Sequence, residues 1–209
     1  MIDRAQGYII TVMPKVVDLD ARRLEIASAA VTVIAHSGLE GARLRDVAAA
    51  AGVTTGAVTH YFLNKDEVLE AALAEVVRRY LDRMSMDQDL QPGVGQLIDR
   101  ISRYLPINER AQAEWRVWLA FWGKAVNDEP LRAIHQEYYE RLREVLTHLL
   151  EVSLATPETS HEWAVMADQV IACIDGVGVR ACLDPEGWPA ERQHRTLATM
   201  LTPILGVVA

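Results

Sequence analysis

The sequence has little of what disulfide-bonded or membrane-spanning proteins are built from. Its 209 residues contain two cysteines, Cys173 and Cys182, a number that favours reduced core side chains over a disulfide framework. No apolar run approaches the roughly 18 residues that a transmembrane helix needs. The apolar stretch 8–13 is short and is followed by Pro14 and Lys15, so we expect no signal peptide and no membrane partner. These absences together predict a cytoplasmic protein.

Motifs of enzymes and of metal proteins are also missing. The six histidines show no metal-ligand spacing, and the chain has neither a glycine-rich phosphate loop nor a nucleophile motif. We therefore predict no cofactor, no metal site and no catalytic residue. An enzyme is the weakest of the alternatives, because no set of acid, base and nucleophile can be assembled from the residues present.

The most informative feature that is present is the segment 51–65, which reads AGVTTGAVTHYFLNK. Gly52 follows an alanine-rich helix and predicts a tight turn, and Thr54 is the expected N-cap of the next helix. Val58 and Phe62 lie four residues apart and share one buried face. The outward surface then carries Thr55, Gly56, Ala57, Thr59, His60 and Tyr61. Such small and hydrogen-bonding side chains suit a helix that enters the major groove of DNA.

The flanking residues complete a three-helix unit. Asn64 and Glu67 have the spacing of a capping box and start a further helix, which places Lys65 beside a DNA backbone. Upstream, a helical apolar stripe ends at Ser37-Gly38, and a second short stripe covers 44–48. The spacing alone leaves open a surface helical hairpin that binds nothing.

These spacings resemble the N-terminal domain of the TetR family of bacterial transcriptional repressors. The matching stretch runs from Arg23 to about Leu73, and the matching residues are Ile26, Ala29, Ala30, Gly38, Val47, Ala48, Ala51, Gly52, Val53, Gly56, Tyr61, Phe62, Lys65 and Leu69. Within the family, Thr54-Thr55-Gly56 followed by Thr59-His60-Tyr61-Phe62 is most similar to the choline-responsive BetI-type branch. Arg43 departs from the family, which commonly has Ser or Thr at this position.

The resemblance implies a double-stranded DNA operator as partner, and it assigns the contacts residue by residue. The predicted DNA-binding residues are Arg43, Arg45, Thr54, Thr55, Gly56, Ala57, Thr59, His60, Tyr61 and Lys65. We expect Arg45, Thr54, Tyr61 and Lys65 to fix the DNA backbone. We expect Thr55, Ala57, Thr59 and His60 to lie nearer the base edges.

The charge balance limits this interpretation. The net charge is −8, whereas residues 1–65 carry seven Lys and Arg against six Asp and Glu. The negative charge therefore lies in the remainder of the chain. This distribution fits a small DNA-facing domain attached to a large acidic body. Such a domain makes few phosphate contacts per subunit, so DNA binding would depend on dimerisation.

The rest of the chain reads almost entirely as helix, so the predicted fold class is all-α. We predict a flexible N-terminal arm over 1–17, a helix-turn-helix DNA-binding domain over 18–65 and a helical ligand-binding and dimerisation domain over 66–209. Breaks at 85–95, 106–108, 127–130, 155–157 and 184–189 divide the last part into about six helices. The first of these six, about 66–84, joins the two domains, and its tilt is the natural element of signal transmission.

Three tryptophans mark a second candidate site. Trp115, Trp118 and Trp122 fall on one face of one helix. Such a stripe is usually core packing. The functional alternative is the wall of a pocket, because indole faces attract desolvated cations. The ligand-binding candidates are Trp115, Trp118, Trp122, Tyr138, Trp163 and Asp175, and the partner is a small-molecule inducer, for which a cationic, choline-like compound is the leading candidate.

The family resemblance also implies a homodimer through the last two helices, about 158–183 and 189–207. The predicted interface residues are Ala167, Val170, Ile171, Ile174, Val177, Gly178, Leu197, Leu201 and Ile204. The alternative is that these apolar faces are buried within one chain.

The sequence thus predicts a ligand-responsive DNA-binding repressor that occupies a pseudo-palindromic operator as a dimer and leaves it when an inducer binds. Two alternatives stay open. One is a helical interaction module of the same fold that has lost DNA binding. The other is a regulator that responds to polyamines or to a hydrophobic drug instead of a choline-like ligand.

Overall fold

The computed structural model describes residues 19–85, 93–154 and 160–206. Over these ranges the chain forms nine α-helices and no β-strand, which confirms the predicted fold class. The predicted N-terminal arm lies outside the described residues. The helices are α1 (Leu19–Gly41), α2 (Leu44–Ala50), α3 (Thr55–Tyr61), α4 (Lys65–Ser85), α5 (Val94–Ser102), α6 (Glu109–Ala125), α7 (Glu129–Leu154), α8 (Ser160–Leu183) and α9 (Ala190–Ile204).

The first three helices, α1 to α3, form a compact unit that we call the reading head. α1 buries one apolar face, with Ile26, Ala30 and Ile34 almost inaccessible to solvent. Its backbone leaves helical geometry at Gly38, where φ is 66°, and this is where the sequence stripe ends. Val47 of α2 and Val58 of α3 pack into the same core.

The turn between α2 and α3 depends on Gly52. Its φ is 65°, in the left-handed region that residues with a Cβ rarely adopt. The N–H of Val53 then donates to the carbonyl of Ala48 at 2.9 Å, which closes the end of α2. The predicted tight turn at this position is confirmed.

α4 starts next to the reading head with a capped N-terminus. The backbone N–H groups of Asp66 and Glu67 donate to Asn64 Oδ1 at 2.8 and 3.0 Å. Glu67 Oε2 accepts from the N–H of Leu63 at 2.9 Å, one residue before the partner that a capping box uses. The helix starts where the sequence predicts. The difference is that Glu67 accepts from the N–H of Leu63 instead of that of Asn64.

Six helices, α4 to α9, make up the body of the described chain, as the sequence predicts. The predicted breaks near Pro106, near 127–130 and at 184–189 coincide with helix ends. The break at 155–157 and most of the break at 85–95 lie outside the described residues. None of the described helices is both long enough and apolar enough to cross a membrane.

The packing places α6 next to the reading head. α1 packs chiefly on α6 and then on α4, while α7, α8 and α9 pack on one another in sequence. The buried side chains form one continuous core, which extends from Ile26 and Phe62 in the reading head to Leu197 and Leu201 in α9. The reading head therefore rests directly on the helix that carries the tryptophan stripe.

Candidate functional sites: a helix-turn-helix face and an aromatic cavity

The short helix α3 has one buried face and one open face. Thr54 is its N-cap, and Thr54 Oγ1 accepts a hydrogen bond from the N–H of Ala57 at 3.1 Å. Val58 and Phe62 are fully buried against α1 and its neighbours. Both features agree with the sequence prediction, because the cap and the spacing of four are local properties of the chain.

The open face of α3 carries small and polar side chains. Thr55, Gly56, Thr59 and His60 are exposed, while Ala57 and Tyr61 are half-buried. This surface is shallow enough for close approach to base edges. Most of the residues predicted to read DNA therefore lie together on the outside of the reading head.

Two of the predicted basic contacts make hydrogen bonds within the chain. Arg45 is exposed and lies 3.3 Å from Asp46. Lys65 Nζ donates to the carbonyl of Glu40 at the end of α1 at 3.0 Å. A lysine carries three donors, so this bond leaves Lys65 able to contact a phosphate as well. Arg43 is exposed and precedes α2 without making a side-chain cap.

Arg23 is a basic residue of the reading head that the list of predicted DNA contacts omits. Its guanidinium donates to the carbonyl of Tyr61 at 3.1 Å and lies 4.6 Å from the ring centre of Phe62. The arginine thus holds the C-terminal end of α3 against α1. Its position in the sequence, 38 residues before Tyr61, gives no local signal for this contact.

The second site is a cavity in the body, between α4, α6, α7 and α8. The empty space between its lining side chains, including the open mouth, is about 550 Å³, and about 50 Å³ of it can be reached by the centre of a water molecule. The lining consists of Val77, Tyr80, Tyr104, Trp115, Trp118, Trp122, Tyr138, Tyr139, Leu142, Ile174 and Asp175. Seven of these eleven side chains are aromatic.

The aromatic rings of the cavity contact one another in several orientations: Tyr80 and Tyr104 stack, and two other pairs meet edge to face. The ring centres of Trp115 and Trp122 are 6.1 Å apart with an interplanar angle of 88°, and those of Trp118 and Tyr139 are 6.0 Å apart at 87°. The indole N–H of Trp115 donates to the carbonyl of Tyr104 at 2.6 Å, which fixes the ring. These contacts hold seven aromatic side chains around one space, and aromatic faces are a known partner of ammonium groups.

One carboxyl group lies among these rings. Of the described residues that line the cavity, only Asp175 is acidic and none is basic. The hydroxyl of Tyr139 donates to Asp175 Oδ2 at 2.9 Å. Burial raises the pKa of Asp175 to about 6, although the hydrogen bond from Tyr139 opposes the shift. Burial and the neighbouring carboxylate also raise the pKa of Tyr139, so the phenol stays the proton donor.

The imidazole of His135 stacks on Tyr139 from outside the lining, with ring centres 4.1 Å apart. Burial lowers the pKa of His135, so this ring is uncharged near neutral pH. Asp175 is therefore the residue of the described lining that can carry a charge near neutral pH.

The structure brings five of the six predicted ligand residues together: Trp115, Trp118, Trp122, Tyr138 and Asp175. Trp163 is not among the lining residues and is buried in the core. It lies on α8 with Asp175 but twelve residues earlier, which is about 18 Å along a helix. Three further aromatic lining residues, Tyr80, Tyr104 and Tyr139, were not predicted; Tyr80 and Tyr104 lie in other parts of the chain, whereas Tyr139 directly follows Tyr138.

The residues predicted for a dimer interface lie on the inner faces of α8 and α9. Ala167, Val170, Ile171, Ile174, Val177, Gly178, Leu197 and Leu201 are buried within the chain, and Ile204 is half-buried. Side chains buried within one chain cannot contact a second chain. The first eight residues therefore fit the alternative given above, in which these apolar faces are buried within the monomer. The outward surface of the two helices carries other residues, among them Val165, Ala172, Gly176, Leu183 and Met200.

Comparisons with known proteins agree with this two-part arrangement. Residues 26–72 match the family model of bacterial regulatory proteins of the tetR family. Residues 96–206 match the model of the C-terminal domain of BetI-type transcriptional repressors. The second match alone covers more than half of the chain and includes every described helix from α6 to α9.

Individual relatives are similar over most of their length. The chain is 32% identical over 188 residues to the transcriptional regulator PksA of Bacillus subtilis, which covers 88% of this chain and 90% of PksA. It is 32% identical over 184 residues to the regulator BetI of Vibrio atlanticus, covering 86% and 90%. A putative transcriptional regulator of Saccharomonospora viridis, solved in complex with choline, superposes with a TM-score of 0.74 at 21% identity, covering 87% and 95%.

The carboxyl group of Asp175 predicts a specific dependence of stability on pH. An acid whose pKa is higher in the folded chain than its ordinary 3.8 binds its proton more tightly in the folded state. The fold therefore loses stability as the pH rises through the window from 3.8 to about 6. Asp175→Asn removes this titration and keeps an acceptor for Tyr139. We expect the variant to gain up to about 3 kcal/mol relative to the wild type across the window.

The measurement is urea unfolding of both proteins between pH 4 and pH 7 at one protein concentration. The difference between their free energies of unfolding should grow with pH and level off near neutrality. A difference that is independent of pH would contradict the assignment of the raised pKa to Asp175.

Proposed function

Because this chain belongs to the TetR family of bacterial regulatory proteins and has a BetI-type C-terminal domain, we propose that it is a repressor controlled by a small cation. In this proposal a homodimer occupies a pseudo-palindromic DNA operator. It leaves the operator when a compound with one ammonium group binds the aromatic cavity. The observation that carries the proposal is the single carboxyl group of Asp175 within a cavity lined mainly by aromatic rings.

The reading head supplies the DNA-binding part of the proposal. The exposed face of α3 has the size and polarity to enter a major groove, with Thr55, Thr59 and His60 turned outwards. Arg43 and Arg45 are exposed beside the start of α2, where they are available to phosphates. One such face offers few basic contacts, which supports a pair of reading heads on successive major grooves about 34–36 Å apart.

The outward surface of α8 and α9 supports the homodimer. Along α8 it carries Val165, Ala172, Gly176 and Leu183, which repeat at helical spacing on one side. Val165 and Leu183 are 45% and 76% exposed, a large fraction for aliphatic side chains on one face. Ala172 and Gly176 are small enough for a second helix to approach closely. We assign the interface to this outward surface instead of the buried residues named from the sequence.

The lining of the cavity favours a monocation over the other ligand classes. A hydrophobic drug would leave the carboxyl group of Asp175 buried without a charged partner, which costs free energy. A polyamine carries several charges, whereas the described lining offers one carboxyl group. A quaternary ammonium group of the choline type matches both the rings and the single charge. The choline bound to the Saccharomonospora relative supports this choice.

For the DNA face, we expect two different effects of mutation. Lys65→Ala and Tyr61→Phe should weaken binding to all DNA sequences by a similar factor, because both residues are assigned to the backbone. Substitutions of Thr55 and His60 should instead change which sequences are selected. The measurement is selection of bound fragments from genomic DNA, followed by mobility shifts at several salt concentrations.

Two outcomes of the DNA experiment would contradict these assignments. A Thr55→Ala, His60→Ala double variant that selects the same sequences as the wild type would show that these residues do not read bases. A wild-type protein that shifts no fragment at any salt concentration would favour the interaction module that has lost DNA binding. Arg43 and the acidic balance are the features that point to that alternative.

For the cavity, we expect choline chloride to quench the tryptophan fluorescence, while its neutral isostere 3,3-dimethylbutanol does not. Asp175→Asn and Trp118→Leu should each weaken choline binding by about tenfold or more, since each removes a direct electrostatic partner of the cation. Trp163→Phe is the matched control. It removes a buried tryptophan outside the cavity lining and should leave the dissociation constant unchanged.

The proposed ligand class fails if choline and other ammonium compounds produce no response. It also fails if the neutral isostere binds as tightly as choline, because the carboxyl group would then contribute nothing to recognition.

A further inference from the structure

One turn of α6 forms a wall of the cavity and also contacts the reading head. Trp115 lies in the lining of the cavity. The next residue, Arg116, donates from Nη1 to the carbonyl of Ala35 in α1 at 3.2 Å. The preceding residue, Glu114, is fully buried and belongs to an ion cluster that also reaches α1. Three consecutive residues therefore join the cavity to the reading head.

The ion cluster is centred on Arg79 of α4. Its Nε donates to Glu75 Oε1 at 2.6 Å, and its Nη1 lies 3.7 Å from Glu114 Oε1. Its Nη2 donates to Ser28 Oγ in α1 at 2.6 Å. Burial opposes ionisation of Glu75, but hydrogen bonds from arginines outweigh this effect and lower its pKa. The cluster thus holds two buried carboxylates, and it ties α1, α4 and α6 together.

Arg79 is itself adjacent to the cavity. The next residue, Tyr80, belongs to the lining. Helices α4 and α6 are therefore joined by Arg79 and Glu114. Each of these two residues directly precedes a side chain that lines the cavity, Tyr80 or Trp115. A displacement of α4 relative to α6 at Tyr80 and Trp115 therefore also changes the distance between Arg79 and Glu114.

The two attachment points on α1 lie on one side of that helix. Ser28 and Ala35 are seven residues apart, which is two helical turns. The contacts hold α1 at two places along its length and so resist both its translation and its tilt. The reading head is built on α1, and its orientation is set by these contacts together with the core.

We infer that Arg79 and Arg116 are positioning residues that couple the cavity to the reading head, by holding α1 at Ser28 and Ala35 beside the cavity walls Tyr80 and Trp115. The inference rests on the proposed function, in which ligand and DNA binding oppose each other. It adds contacts of α6 with α1 to the sequence expectation, in which the tilt of α4 is the element of signal transmission. A buried ion pair has few alternative geometries, so a small displacement of α6 moves α1 instead of being absorbed.

Gly178 provides a way to displace Trp115 without any ligand. A Cβ at this position of α8 would overlap the six-membered ring of Trp115, so Gly178→Ala forces the indole and α8 apart. Gly123→Ala is the matched control, because Gly123 lies on α6 and a Cβ there meets nothing within 4 Å. Both substitutions add one methyl group within a helix, and only one of them pushes the cavity wall.

The coupling contacts are removed by the double variant Ser28→Ala, Arg116→Gln. Ser28→Ala removes the hydrogen bond to α1 and leaves the ion pairs of Arg79 intact, whereas a change of Arg79 would remove one arginine partner from each of two buried carboxyl groups, Glu75 and Glu114, and endanger the fold. Arg116 is exposed. The control double variant is Thr32→Ala, Arg141→Gln, which changes an exposed residue of α1 and an arginine paired with Glu137 on its own helix.

The readouts are deuterium exchange of α1 peptides and affinity for a selected genomic fragment. In the wild-type and control backgrounds, we expect Gly178→Ala to change the exchange rate of α1 and the affinity for DNA by about fivefold or more. Fivefold is the lower end of the usual range of allosteric coupling. In the Ser28→Ala, Arg116→Gln background the same substitution should change them by less than about twofold. An undiminished effect in that background would overturn the inference and show that α4 alone suffices. The inference would also be overturned if Gly178→Ala shifts the tryptophan emission but leaves the deuterium exchange of the α1 peptides unchanged.

A second arm replaces Gly178→Ala by saturating choline chloride, which decides the question if the alanine variant does not fold. The double variant should bind choline with the wild-type dissociation constant but lose its effect on α1 exchange. If choline does not bind the wild type, the proposed ligand class fails while the Gly178→Ala arm still tests the coupling. If the protein binds no DNA, the deuterium exchange of α1 remains as the readout. Failure of the proposed function can therefore be distinguished from failure of the coupling inference.

Discussion

Helix α6 must pack on two partners at once, and the remaining structure is arranged around this requirement. One of its faces supplies three tryptophans to the cavity, and other positions of the same helix support α1 of the reading head. A helix of 17 residues transmits displacement along its length with little bending. The cavity wall and the support of the reading head therefore cannot be moved independently. This constraint links a chemical event in the body to the geometry of a DNA-binding surface.

The chemistry of the cavity determines which event that is. A carboxylate among aromatic rings is costly to ionise, and the raised pKa of Asp175, about 6, expresses this cost. Tyr139 offsets part of it with one hydrogen bond. A ligand with a single positive charge restores the ordinary preference for the carboxylate and also contacts the ring faces. In the proposed function, recognition of the ligand therefore depends on charge more than on buried area.

The sequence was sufficient wherever the determining interactions are local. The N-cap at Thr54, the turn at Gly52 and the spacing of Val58 and Phe62 all act within a few residues, so the helix-turn-helix followed from them. The tryptophan stripe was likewise visible as one face of one helix. The other cavity residues depend on how separate helices pack, so Tyr80, Tyr104 and Tyr139 were not predicted, and Trp163, proposed as a further ring, lies outside the lining. An apolar face on α8 was predicted correctly, but spacing cannot tell whether a helix buries that face in its own chain or against a partner.

The central claim is that the cavity and the DNA-binding face share one coupling free energy. The most direct measurement is the dissociation constant of choline with and without saturating operator DNA, compared with that of DNA with and without saturating choline. Thermodynamic linkage requires both affinities to fall by the same factor, which we expect to be about 5-fold to 150-fold. A choline affinity that is unchanged by bound DNA would contradict the account, even if both ligands bind the protein.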